Sequence, residues 1–139
     1  MPQAALVEIM VVDDQRATRS LVRDSLTQIG CACVSECGDG HEALQSLRAR
    51  PVHLVVSDLN MPIMDGLALL RAVRAEPSLA NTAFIMLTSS GDAEQVKQAI
   101  ALGVNNYLVK PFTIGTLKRK IESVFGPLAP SKALSSGAS

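Results

Sequence analysis

The chain has 139 residues with 13 basic and 13 acidic side chains, so its formal net charge is zero, and 47% of its residues are hydrophobic. This length fits one domain that can bury a core without disulfides, and the balanced charge argues against a general nucleic-acid-binding protein. Because there is no secretory signal and no apolar run approaches the roughly 20 residues that span a bilayer, we expect a cytoplasmic protein that contacts neither nucleic acid nor membrane.

The charges are unevenly distributed along the chain. Up to Asp92 there are 11 acidic and 7 basic residues, whereas from Ala93 onward there are 2 acidic and 6 basic ones. This asymmetry predicts a cation site in the first part of the chain and an acidic partner for the last part.

Short apolar runs alternate with helical patterns, and such runs are typical of buried parallel strands. The predicted strands are 9–12, 31–36, 52–57, 84–87 and 107–109. The predicted helices are 16–29, 41–50, one that Asp65 caps, one that contains Val96, Ala99 and Ile100, and one that contains Ile114, Leu117, Ile121 and Val124. With right-handed crossovers these elements predict a doubly wound α/β fold, in which five helices flank a five-stranded parallel sheet. We place this domain at residues 1–126 and expect a disordered tail at 127–139.

Details of the first helix and the second strand can also be predicted. The apolar residues on one face of the helix are Leu21, Val22, Leu26 and Ile29. Gly30 is expected to end the helix. Cys31 and Cys33 lie two residues apart in the predicted strand, so both are expected to pack as small hydrophobic side chains on one face. A zinc site formed by these two with Cys37 and His41 is not expected, because the spacing is wrong.

Polar residues follow four of the five predicted strands. Asp13 and Asp14 come after the first strand, Asp58 after the third, Thr88 after the fourth and Lys110 after the fifth. Because the carboxyl ends of parallel strands share one edge of the sheet, these side chains should converge where open α/β sheets bind ligands.

The convergence of three carboxylates predicts a divalent cation. Carboxylates about 5 Å apart repel each other by roughly 3 kcal/mol at an effective dielectric constant of 20, and Mg²⁺ in an oxygen shell would remove that repulsion. Such sites usually also meet a phosphoryl group, and one aspartate could act as its nucleophile to give an aspartyl phosphate. Lys110 would then neutralise one phosphoryl oxygen, and Thr88 would donate a hydrogen bond to another.

Two other classes of protein remain as alternatives. A small Mg²⁺-dependent phosphatase of the haloacid dehalogenase kind also uses an aspartate nucleophile, but it places an Asp-x-Asp motif after the first strand, where this chain has Asp13-Asp14. A nucleotide or flavin carrier needs a glycine-rich or hydroxyl-rich phosphate cradle after that strand. Two anions in that place would repel a phosphate in the absence of a metal.

Four stretches of the chain resemble the receiver domain of bacterial two-component response regulators, in particular the stand-alone, CheY-like members. These stretches are 11–14 (VVDD), 57–66 (SDLNMPIMDG), 86–89 (MLTS) and 110–112 (KPF). The resemblance covers about residues 8–125 and implies the flavodoxin-like strand order 2-1-3-4-5. It also implies a protein that assists only its own phosphorylation and dephosphorylation, rather than an enzyme that acts on other substrates.

The resemblance implies a role for each residue of this edge. Asp58 would accept the phosphoryl group from a phosphohistidine of a sensor histidine kinase, and Thr88 and Lys110 would hold it. The implied Mg²⁺ ligands are Asp13, Asp14, Asp58 and the main-chain carbonyl of Asn60. The downstream partner would be either a protein target, as in chemotaxis-like signalling, or a histidine phosphotransfer protein, and the sequence does not decide between them.

The resemblance further implies a switch at Tyr107 and a partner surface on the fourth helix, fifth strand and fifth helix. The residues assigned to that surface are Lys97, Tyr107, Lys118, Arg119 and Lys120. Two residues depart from the pattern of the chemotaxis proteins. Leu59 replaces a tryptophan. Ser90 replaces an acidic residue that affects how water reaches the phosphoryl group, so the sequence does not predict the lifetime of the phosphorylated state.

Overall fold

The computed structural model describes residues 3–128. From residue 129 onward, the tail expected at 127–139 lies outside the described residues. Leu128 is buried, and its main-chain N–H donates a 3.0 Å hydrogen bond to Glu122 Oε2. Within residues 3–128, no helix has both the length and the hydropathy that a membrane span requires.

A short 3-10 helix at Ala4–Leu6 precedes five strands and five helices that alternate along the chain. The strands are β1 (Glu8–Val12), β2 (Cys33–Cys37), β3 (Leu54–Asp58), β4 (Ala83–Thr88) and β5 (Asn106–Val109). The helices are α1 (Arg16–Ile29), α2 (Gly40–Ala49), α3 (Gly66–Ala75), α4 (Ala93–Ala101) and α5 (Ile114–Phe125). All strand pairs are parallel, and the sheet order is β2-β1-β3-β4-β5. The predicted fold class and strand order are confirmed.

Side chains of successive strand residues point to opposite faces of the sheet, so the central strands supply two cores. Ile9 and Val11 of β1 belong to a cluster with residues of α1 and α5, whereas Met10 and Val12 belong to one with residues of α2 and α3. Every residue of β3 and β4 is buried. The sheet is therefore covered on both sides, and polar groups of these strands reach solvent only at their ends.

Helix termini explain how the chain turns at each edge of the sheet. Asp39, Asp65 and Thr113 each accept a hydrogen bond from a main-chain N–H of the first turn of the following helix, as N-cap residues do. Gly30 ends α1 in the left-handed conformation with φ of 113°. The predicted cap at Asp65 and stop at Gly30 are thus confirmed.

Two predictions about side-chain burial are wrong. Strand β2 begins at Cys33 rather than Cys31, and it is an edge strand, so the Cys33 side chain is exposed while Cys31 is buried just before the strand. Leu21 is 56% exposed, because the buried face of α1 is centred on Val22 and Leu26.

Candidate functional site at the carboxyl edge of the sheet

Three aspartates meet at the carboxyl ends of β1 and β3. Asp13 follows β1 and is 1% exposed, Asp58 is the last residue of β3 and is 7% exposed, and Asp14 is exposed. Each offers a carboxylate oxygen, and these oxygens lie within 4.8 Å of one another. Two buried like charges and a third beside them form an arrangement that a cation would stabilise.

Asp13 is held in place on one side only. Its Oδ1 accepts a 2.9 Å hydrogen bond from the main-chain N–H of Gln15, whereas Oδ2 is buried and has no hydrogen-bond partner within residues 3–128. Burial raises the pKa of this carboxyl above its usual value, and the charges of Asp58 and Asp14 raise it further, against the opposing effects of the Gln15 N–H and Lys110. An anionic oxygen without a partner among the described residues, on a carboxylate beside two others, is suited to bind a metal ion.

Lys110 supplies the positive charge of the site. Its Nζ lies 2.5 Å from Asp58 Oδ1, and its main-chain N–H donates a 2.7 Å hydrogen bond to the carbonyl oxygen of Thr88. The following peptide bond, Lys110–Pro111, is cis. The hydrogen bond to β4 therefore fixes the main chain of Lys110, whose ammonium group contacts Asp58.

Thr88 is the last residue of β4 and is 1% exposed, yet its hydroxyl oxygen has no hydrogen-bond partner in the part of the chain that the structure describes. A buried hydroxyl without a hydrogen bond lowers the free energy of unfolding by about 1–3 kcal/mol. A ligand that accepts a hydrogen bond from Thr88 would remove this cost. The next residue, Ser89, is exposed. The edge beside Thr88 is open to a ligand that approaches from solvent.

The loop after Asp58 passes close to the sheet. The main-chain N–H of Leu59 donates a 3.0 Å hydrogen bond to the carbonyl of Leu87, and the Gly66 N–H donates a 2.9 Å bond to the carbonyl of Leu59. A Cβ at Gly66 would lie 2.5 Å from the Asp58 carbonyl oxygen and 2.7 Å from Met86 Sδ, so only glycine fits there. Asn60, whose carbonyl is a predicted ligand, lies in this loop with an exposed side chain.

The predicted partner surface lies on α4, β5 and α5. Tyr107 is half-buried against the core on the α2–α3 side of the sheet, and Lys120 Nζ lies 5.4 Å from the centre of its ring. Lys120 Nζ also donates a 3.4 Å hydrogen bond to Asn106 Oδ1. The other predicted members, Lys97, Lys118 and Arg119, are exposed.

One contact to the site was not predicted from the sequence. Arg19 Nη1 donates a 2.7 Å hydrogen bond to the main-chain carbonyl of Asp13, and Arg19 Nε contacts Glu36 Oε1 at 3.1 Å. Arg19 and Glu36 are separated by 17 positions, so no helical or strand period relates them. The only sequence signal is their position, since Arg19 lies in the first turn after Asp13 and Glu36 near the end of β2.

Comparison with known proteins identifies the family. The sequence model described as response regulator receiver domain matches residues 9–122. The chain belongs to this family. A relative named probable chemotaxis protein CheY, from Rhizobium etli, is 46% identical over 128 residues, which are 92% of this chain and 99% of the relative. The predicted resemblance to CheY-like receiver domains of two-component systems is confirmed.

Solved structures of receiver domains have the same fold. The chemotaxis protein CheY4 of Vibrio cholerae matches this receiver with a TM-score of 0.79 and 32% identity, over 86% of this chain and 99% of that one. The receiver domain of a sensor histidine kinase from Pseudomonas aeruginosa matches with a TM-score of 0.78 and 26% identity, over 86% and 98% of the two chains. That second structure contains a magnesium ion coordinated in the active site cleft.

Proposed function

We propose that this receiver accepts a phosphoryl group on Asp58 from a phosphohistidine of a sensor histidine kinase and thereby switches a protein-binding surface. The observation that carries the proposal is the contact between Lys110 and Asp58 at 2.5 Å, beside two further carboxylates. The carboxylate of the buried Asp58 is the nucleophile, and Lys110 Nζ already contacts one of its oxygens. Two similar proteins are named as chemotaxis proteins, which supports a signalling role in chemotaxis for this chain.

The acidic residues fit a Mg²⁺ ion. Hard oxygen donors are the ligands that Mg²⁺ prefers, and the buried Asp13 Oδ2 has no hydrogen-bond partner among the described residues. We propose Asp13, Asp14, Asp58 and the main-chain carbonyl of Asn60 as the ligands. When bound, the ion would neutralise charge that develops on the phosphoryl oxygens. The magnesium-bound structure of a related receiver supports this assignment.

The transfer itself needs little from the protein beyond position and charge. An Asp58 carboxylate oxygen forms a bond to phosphorus while the bond between phosphorus and the imidazole nitrogen breaks, and that nitrogen retains the electron pair. Lys110 moves from the carboxylate to a phosphoryl oxygen, and the unpaired hydroxyl of Thr88 donates to another. Lys110 therefore exchanges a carboxylate oxygen for a phosphoryl oxygen, and the Thr88 hydroxyl gains the partner that it lacks among the described residues.

The new charge then acts on the surface of α4, β5 and α5. A phosphoryl group adds up to about two negative charges, which draw Thr88 toward it and open space for the half-buried ring of Tyr107. The exposed basic residues Lys97, Lys118 and Arg119 would contact an acidic protein target. Lys120, which already lies over the Tyr107 ring, would follow that ring.

Acetyl phosphate and Mg²⁺ test the proposal, with the intact mass of the protein as the readout. The wild-type chain is expected to gain the mass of one phosphoryl group, and Asp58→Asn is expected to gain none. Asp24→Asn, the same change on an exposed position of α1, should behave as the wild type. Absence of the gain in the wild type, or an equal gain in Asp58→Asn, would refute the assignment. Continuous hydrolysis of a phosphate ester would instead favour a phosphatase.

A further inference from the structure

The main-chain N–H and carbonyl of Asp13 both make hydrogen bonds that connect them, directly or through Arg19, to the end of strand β2. The Asp13 N–H donates a 3.2 Å hydrogen bond to the carbonyl of Cys37, the last residue of β2. The Asp13 carbonyl accepts a 2.7 Å hydrogen bond from Arg19 Nη1. Arg19 is in turn held by Glu36, the residue before Cys37. The end of the edge strand therefore determines where the backbone of Asp13 lies.

Glu36 is held by two arginines of α1. Its Oε1 lies 3.1 Å from Arg19 Nε, and its Oε2 lies 2.6 Å from Arg23 Nη1. The hydrogen bond from Arg23, together with that from Arg19 and the charges of both, lowers the pKa of the Glu36 carboxyl below its usual value in spite of partial burial. The Arg19 and Glu36 side chains are only 18% and 24% exposed, whereas Arg23 is 54% exposed. The pair of Arg19 and Glu36 is thus the inner, more ordered part of this network.

We propose that Arg19 and Glu36 are positioning residues for the Mg²⁺ site, an inference that rests on the function proposed above. Arg19 holds the main-chain carbonyl of Asp13, and Glu36 holds Arg19 in the orientation that this hydrogen bond requires. Together they fix the turn that carries Asp13 and Asp14, so that both carboxylates stay directed at Asp58 although the three repel one another.

If Arg19 acted only through its positive charge, it would weaken Mg²⁺ binding rather than support it. A guanidinium ion beside the acidic cluster repels a divalent cation, so its removal would strengthen Mg²⁺ binding if Arg19 acted only through its charge. A positioning role predicts that removal weakens binding. The guanidinium group is suited to this role because its planar fork donates in two fixed directions, to the carbonyl and to the carboxylate, whereas a lysine ammonium group is a single point charge.

Calorimetric titration of the unphosphorylated chain with Mg²⁺ tests the inference through the dissociation constant. Arg19→Gln is expected to weaken Mg²⁺ binding about tenfold. Arg19→Lys, which keeps the charge, is expected to weaken it by a smaller factor. Arg23→Gln is the matched control, because Arg23 lies on the same helix and contacts the same Glu36 but makes no hydrogen bond to Asp13 among the described residues. It should bind Mg²⁺ as the wild type does.

The coupling between Arg19 and Glu36 is tested by combining variants. If Glu36 acts through Arg19, Glu36→Gln weakens binding, and the double variant of Arg19→Gln with Glu36→Gln binds no more weakly than Arg19→Gln alone. Losses that simply add would overturn this part of the inference. Urea unfolding of each variant, compared with Arg23→Gln, separates a change in Mg²⁺ affinity from a loss of folding.

The outcomes distinguish the two proposals. A wild-type chain without saturable Mg²⁺ binding would overturn the proposed function and this inference with it. A wild-type chain that binds Mg²⁺, with Arg19→Gln binding equally or more tightly, would overturn the inference alone and leave the proposed function in place. Arg19→Lys decides the matter if Arg19→Gln does not fold, since an unchanged affinity there also contradicts a positioning role.

Discussion

The two edges of the sheet differ in how completely their polar groups are paired. At the amino ends of β4 and β5, Arg74 donates hydrogen bonds to the carbonyls of Ala80, Thr82 and Gly103 and to Asn105 Oδ1, at distances between 2.6 and 3.1 Å. Asn105 Oδ1 also accepts a 2.8 Å bond from the main-chain N–H of Phe84. One charged side chain thus joins the loops that enter two strands.

The carboxyl edge is arranged in the opposite way. Three carboxylates lie together, and the two buried side-chain atoms without a partner among residues 3–128, Asp13 Oδ2 and Thr88 Oγ1, are both there. Unpaired buried groups and like charges reduce the free energy of unfolding. We infer that the amino edge stabilises the domain and that the carboxyl edge gives up stability for the binding of charged ligands.

The largest effect on stability is expected at the amino edge. Arg74→Met keeps most of the side-chain volume but removes every hydrogen bond of the guanidinium group, so we expect the free energy of unfolding to fall by about 3 kcal/mol. Arg71→Met is the control, since Arg71 lies one turn earlier on α3, is exposed, and its side chain makes no hydrogen bond or ion pair with the described residues. Equal urea midpoints for the two variants would contradict a stabilising role of the amino edge.

A change of opposite sign is expected at the carboxyl edge. Asp13→Asn removes a buried charge that Asp58 and Asp14 repel, so the metal-free protein should become more stable by about 2 kcal/mol. With saturating Mg²⁺ the order should reverse, because only the wild type gains the free energy of metal binding. Urea unfolding with a chelator and with Mg²⁺ measures both. A less stable Asp13→Asn variant without metal would show that the carboxyl edge is not strained by its charges.

The pH dependence sharpens this test. Burial raises the pKa of Asp13 in the folded protein above its ordinary value of 3.8. The Asp13 charge therefore destabilises the fold fully at a pH above the raised pKa, and this destabilisation is lost as the pH falls toward 3.8. The stability difference between the metal-free wild type and Asp13→Asn should therefore narrow on acidification. Carboxyls away from the three-aspartate cluster, such as Glu36, are common to both proteins, so their contribution cancels in the stability difference.

The sequence predicted the positions of the site residues better than the contacts between them. In a parallel sheet, a residue that follows a strand must lie at the carboxyl edge, so the order along the chain alone placed Asp13, Asp58, Thr88 and Lys110 there. Helix α1 was predicted with the bounds that the structure has, because its apolar period and the glycine after it mark both the face and the end. Whether these residues have the predicted roles is a matter for the experiments above.

What could not be predicted depends on long side chains and on the edge of the sheet. Arg74 reaches Asn105 across 31 positions, and no periodic pattern marks the partners of a flexible side chain. The exposure of Cys33 depends on β2 having a neighbour on one side only, and the residue types of a strand do not show its place in the sheet. The prediction that Cys33 is buried was wrong for that reason.

The smallest effect is expected in the loop between β3 and α3, at the carboxyl edge. Ile63 has φ of 69° and is 88% exposed. A β-branched residue in the left-handed region is strained by about 1–2 kcal/mol, and so exposed a side chain recovers little of this through burial. Ile63→Asn should therefore raise the free energy of unfolding by about 1 kcal/mol, because asparagine tolerates this conformation better.

Ile100→Asn is the matched control for this change, since Ile100 is also a largely exposed isoleucine but lies within α4. Asparagine has a weak helix propensity, so this variant should gain no stability. If Ile63→Asn also fails to gain, the exposed isoleucine contributes enough contact energy to offset its backbone strain. The low stability of the carboxyl edge would then arise only from its charges and unpaired groups. If Ile63→Asn is instead more stable and binds Mg²⁺ with unchanged affinity, backbone strain at Ile63 also lowers the stability of this edge.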